Sequence, residues 1–199
     1  MPPLPEPERT VNLGDHAVDD LKFIRSAMER AGAFTAVPGW GGVGMGVTAL
    51  AAAFLAAVQP SAGRWLAVWL VAALVAAAIG LWTMVRKARR LDVPLVTGAG
   101  RKFVLGLLPP VLVGALLTAA LLRAGAAPLV PAVWLLLYGT GIVAAGAFSV
   151  PVVPLQGLAF LILGVAALVV PQAGDLLLGL GFGVVNLVFG LVIAVRHGG

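Results

Sequence analysis

The side chains equipped for chemistry in this 199-residue chain are few, and most lie inside apolar sequence. Asn186, Gln156, Tyr138, Thr140 and Thr118 are polar groups embedded in long hydrophobic stretches. There they can bond to one another, to a neighbouring helix or to a ligand in a central cavity. No serine with a base, aspartate pair or histidine ligand set accompanies them, so intramembrane hydrolysis lacks its usual groups. The absence of cysteine excludes a disulfide framework, Cys-ligated zinc and a thiol nucleophile. His16 and His197 are terminal and solitary, which argues against metal binding and acid–base work. We therefore expect no catalytic residue, no metal site and no cofactor, and a chain that is not an enzyme.

Two glycine-rich runs imitate nucleotide motifs. Gly39-Trp40-Gly41-Gly42-Val43-Gly44 matches G-x-G-x-x-G, but it opens an apolar helix instead of following a strand in a βαβ unit. Thr97-Gly98-Ala99-Gly100-Arg101-Lys102 lacks the first glycine and the Lys-Ser/Thr ending of a phosphate loop. Neither supports a nucleotide site.

The elements that must position the embedded polar groups follow from composition. Hydrophobic residues make up 61% of the chain and charged residues 11%, with a mean hydropathy of +1.07. Soluble domains carry roughly 25% charged residues, so a soluble core is excluded. Six apolar stretches, over about 40–58, 65–85, 103–122, 131–149, 154–170 and 176–195, each approach the ~20 residues a helix needs to cross a bilayer. Backbone groups must close their hydrogen bonds internally in lipid, which helices do. The fold class is accordingly an all-α membrane protein, a bundle of six transmembrane helices over 40–196.

Before it, residues 1–14 are proline-rich and read as a disordered tail. Residues 15–33 read as an amphipathic cytoplasmic or interfacial helix, with Asp15 as cap and Gly32 at the exit. Ala17, Leu21, Ile24, Met28 and Ala31 form its apolar stripe. Its mixed charges make a protein surface a better target than anionic lipid for residues 15–31. Charges recurring from Arg9 to Arg30 leave no signal-peptide core, so no cleavage is expected there.

Orientation follows from lysine and arginine. With the N-terminus in the cytoplasm, that side carries Arg9, Lys22, Arg25, Arg30, Arg86, Lys87, Arg89, Arg90, Arg101, Lys102 and Arg196, against Arg64 and Arg123 opposite. Trp40 and Trp82 fall at inner ends, Trp65 and Trp134 at outer ends. Both termini are therefore expected inside. The same positioning accounts for the basic net charge of +5 without nucleic acid. Arg86, Lys87, Arg89, Arg90, Arg101 and Lys102 also form a basic cluster suited to anionic lipid headgroups or an acidic partner.

No ionisable group sits at membrane depth, which argues against an ion-coupled pump. Pro109 and Pro110 interrupt the third span and mark a hinge or a static kink. Gly42, Gly46, Ala49, Ala53 and Ala57 in the first span step along one face, and Gly179, Gly183, Asn186, Gly190 and Ala194 repeat those steps in the sixth. Such seams serve packing within one subunit or a homodimer. Ala67-Val68-Trp69-Leu70 is echoed by Ala132-Val133-Trp134-Leu135, a weak sign of internal duplication.

The run from Asp20 to Gly42, with Phe23-Ile24-Arg25-Ser26-Ala27-Met28-Glu29 within it, resembles a group of uncharacterised bacterial six-span integral membrane proteins. So do Trp134-Leu135-Leu136-Leu137-Tyr138-Gly139 and the terminal Arg196-His197-Gly198-Gly199. The resemblance implies a bacterial inner-membrane location and carries over no activity or functional residue. The reading from the residues is an accessory, sensor or regulatory subunit acting through partners. Its alternative is a small carrier or channel for a neutral or apolar compound.

Overall fold

In a computed structural model, the described residues are 34–92, 95 and 98–197. The expected tail over 1–14 and amphipathic helix over 15–33 lie outside them. Four spans are single helices, α1 (Gly39–Ala57), α2 (Ala62–Arg90), α3 (Gly98–Arg123) and α5 (Val152–Val169), and the fourth, Ala127–Gly146, opens with a 3₁₀ turn (Ala127–Leu129) that leads into α4 (Val130–Gly146). The sixth, Pro171–His197, is composite. A 3₁₀ turn (Pro171–Ala173) leads into α6 (Gly174–Leu178), a π-helical stretch (Gly179–Val185) and α7 (Asn186–His197). All six are long and apolar enough to cross a membrane, and the chain is a multi-pass membrane protein.

The helices overlap the six apolar stretches and differ from them by a few residues at their ends. The 29 residues of α2 span about 44 Å at ~1.5 Å per residue, against a hydrocarbon core of about 30 Å. Its last turn thus carries Arg89 and Arg90 out toward water. The α3 helix begins at Gly98, ahead of its apolar run, and continues through Pro109 and Pro110. It stops where Gly125 takes φ +71°. Gly125 N–H donates to Leu122 O and Ala126 N–H to Leu121 O, the paired bonds of a Schellman cap that glycine accommodates without a Cβ penalty.

Packing is set by the small-residue stripes. The stripe on α1 faces that of the sixth span within one chain, so the seam is intrasubunit. A Cβ on Gly46 would lie 2.8 Å from Gly183 O, and one on Gly190 would lie 2.7 Å from Val43 N. Backbones this close exclude any larger residue and gain dispersion contacts that lipid cannot replace. The α4–α5 pair repeats the device, because a Cβ on Gly139 would lie 2.9 Å from Gly157 O. Between these two seams, the sixth span also packs on α4 and α5. On the flanks, α2 packs chiefly on α1 and α3 on α4, and both leave most of their apolar surface outward for lipid.

Two buried clusters result. One joins Ala132, Leu135, Phe160, Ala167 and Leu178, with Trp65, Trp69 and Trp134 packed against it. The other gathers Phe34, Ala36, Ala88, Phe103, Ile142, Ala145, Val153 and Ile193 at the end of the bundle that carries the basic residues.

Candidate functional site

At mid-bundle the sequence-derived polar residues separate into those that meet and those that do not. Gln156 on α5 and Asn186 at the start of α7 meet: Gln156 Nε2 donates to Asn186 Oδ1 at 2.7 Å, and both residues are buried. Asn186 Nδ2 donates in turn to Phe182 O at 2.8 Å, inside the π-helical stretch. Gly179, Gly181 and Gly183 weaken regular α-helix there, and a widened turn shifts the backbone bonding pattern. The Asn186 amide supplies a donor where that shift occurs, as polar side chains do for irregular backbone in membranes.

Tyr138 packs on Phe182, whose carbonyl accepts from Asn186. The Tyr138 ring lies 4.9 Å from Phe160 and 4.9 Å from Phe182, and those two rings are 5.1 Å apart, forming an aromatic triangle. The tilted and edge-on geometries are the favoured ones for such rings. Thr118 is elsewhere. It accepts a bond from Trp134 Nε1 at 2.9 Å and donates to Gly114 O, pinning α3 to α4. Thr140 faces outward and donates to Leu136 O one turn back. Pro110 packs against α4, where a Cβ on Gly141 would meet its ring at 3.4 Å, while Pro109 is exposed.

The basic end holds a second centre, built around the stretch that leads into α1. Phe34 is fully buried, its ring 4.9 Å from that of Phe103. Its N–H donates to Phe148 O at 2.6 Å and its carbonyl accepts from Ser149 Oγ at 2.7 Å. Lys87 closes the assembly. Its Nζ donates to Val37 O and to His197 O, each at 3.0 Å. One ammonium thereby joins the end of α2, the entry to α1 and the end of α7. The last of these is a helix C-terminus, where exposed carbonyls favour a cation.

This sets Lys87 apart from the basic cluster in which its sequence position groups it. It is only 7% exposed and directed inward, whereas Arg86, Arg89, Arg90, Arg101 and Lys102 are exposed. Arg86 lies over Trp82 at 5.4 Å and Lys102 over Phe148 at 5.1 Å, an arrangement that stacks cation on ring. Among the described residues, no three His, Asp or Glu side chains come together.

No family model, no curated protein and no solved structure matches the chain. The roles of these residues therefore rest on their geometry.

Sequence reasoning groups Asn186 with Gln156, Tyr138, Thr118 and Thr140 because each is polar within an apolar span, and of these Gln156 bonds to Asn186 while the two threonines lie elsewhere. It misses the Phe34 clamp, whose phenylalanine looks like any apolar residue before a span. The three alternate glycines at 179, 181 and 183 are the one local signal for the π-helical stretch.

Proposed function

We propose that this chain is a non-enzymatic accessory, sensor or regulatory subunit of a bacterial inner membrane, with both termini cytoplasmic and a protein partner engaged through residues 15–31. The observation that carries the proposal is the anchorage of residues 34–37. Phe34 is buried, bonded on both sides of its peptide unit to the α4–α5 connection, and followed by Val37 bonded to Lys87. A partner engaging the preceding residues would act on a chain fastened to α2, to the α4–α5 connection and, through Lys87, to α7. Movement there would be passed to the bundle, as coupling through packed elements requires. The charge asymmetry and tryptophan positions support the orientation. Purification of the full chain from native membranes tests the proposal: a stoichiometric protein should accompany it and be lost with Leu21→Asp/Ile24→Asp.

A second reading is favoured by the Gln156–Asn186 pair beside a π-helical stretch, since such stretches recur at functional sites. On that reading the chain carries a neutral or apolar compound. Substrate-dependent flux in proteoliposomes of the pure chain, reduced by Asn186→Leu, would establish it.

A further inference from the structure

The end of the bundle opposite Phe34 has a depression of about 530 Å³, open on one side, between the α1–α2, α3–α4 and α5–α6 connections. This volume is in the range that holds small ligands. Pro60, Pro128, Pro131 and Pro171 line it, giving walls of restricted backbone freedom. Its polar groups are unevenly matched. Among the described residues, Asp175 is its only charged lining residue. Trp65 Nε1 donates to Asp175 Oδ1 at 2.7 Å, and Asp175 forms no ion pair with any described residue. Arg64 and Arg123, the two cations of this end, are absent from the lining.

We propose that this depression binds an alkylammonium group, with the Asp175 carboxylate as counter-ion and the Trp65 indole as aromatic wall. A carboxylate whose second oxygen has no described partner attracts a cation without first breaking an ion pair. Trp65 lines the depression beside that carboxylate, and its indole offers apolar surface that the alkyl groups of an ammonium can cover and a sodium ion cannot. The Trp65 bond fixes the carboxylate and brings the α2 start against the α6 start, so a bound cation would brace the two spans. The site is independent of the partner contact proposed for residues 15–31, and its failure would leave that reading standing.

The test uses the full chain in nanodiscs of phosphatidylglycerol, with choline chloride as probe and tryptophan emission as readout at matched ionic strength. Choline should give a saturable change that sodium chloride and the neutral isostere 3,3-dimethyl-1-butanol do not. Asp175→Asn should weaken choline binding by roughly tenfold or more. Gln172 is exposed and lines the same depression, so Gln172→Arg places a competing cation there without removing the Trp65–Asp175 bond, and it should weaken binding similarly. Adding phosphatidylethanolamine distinguishes the source of the ammonium: a weaker apparent affinity for choline indicates a lipid headgroup, an unchanged one a dissolved cation. No saturable response to choline, or equal binding by the wild type and both variants, would overturn the proposal.

Discussion

Gln156 Nε2 lies 2.7 Å from Asn186 Oδ1, joining the fifth and sixth spans through a buried amide pair thirty residues apart in sequence. In lipid an amide without a partner is costly, so the two residues depend on each other. Asn186→Leu should destabilise the bundle by about 0.6–2 kcal/mol, the range seen for polar bonds between transmembrane helices. Gln156→Leu/Asn186→Leu removes both amides and should cost less than the sum of the single changes. Reversible unfolding in detergent measures this cycle. Strict additivity would show that the pair is not coupled.

The glycine seam gives a sharper steric expectation. Gly190→Ala places a methyl group 2.7 Å from Val43 N and should cost about 1–3 kcal/mol as overpacking, with Gly46→Leu and Gly183→Leu more severe. Gly63→Ala meets nothing within 4 Å and serves as control. Thermal denaturation compares the four, and equal melting of wild type and the seam variants would refute the close approach.

Much of this architecture is legible in the sequence because the bilayer makes simple demands. Length, apolarity and internal hydrogen bonding are enough to give six helices, and the four-and-three steps of Gly42, Gly46, Gly183 and Gly190 mark faces that meet. The sequence leaves open whether those faces meet within one chain or between two, since either arrangement satisfies the same spacing. It is silent on the basic end for a different reason. Lys87 has the sequence context of its exposed neighbours, and the arrival of Val37 and His197 from distant positions distinguishes it.

Lys87→Met keeps the length of the side chain and removes the donor to both carbonyls. Bonds to a charged donor are worth about 1.5–3 kcal/mol, so this change should loosen the basic end, whereas Arg89→Ala, at an exposed position, should not. Hydrogen exchange around residues 34–42 is the measurement. Wild-type protection in Lys87→Met would show that the tie has no structural weight.

Topology is open to single-cysteine labelling because the chain has no cysteine. Ala62→Cys and Ala124→Cys are exposed at one end of the bundle and Arg90→Cys at the other. An impermeant thiol reagent on intact cells should modify the first two and spare the third if the basic end is cytoplasmic. The reverse pattern would invert the protein.

On the proposed function, residues 34–37 link a partner-binding segment to the membrane bundle. The most direct measurement is quantitative co-purification from native membranes of the wild-type chain and Leu21→Asp/Ile24→Asp, with membrane insertion checked for each. One protein should accompany the wild type at constant stoichiometry and be lost with the double variant, which should still insert all six spans. A wild-type chain that purifies alone, or a double variant that keeps every accompanying protein, would contradict it.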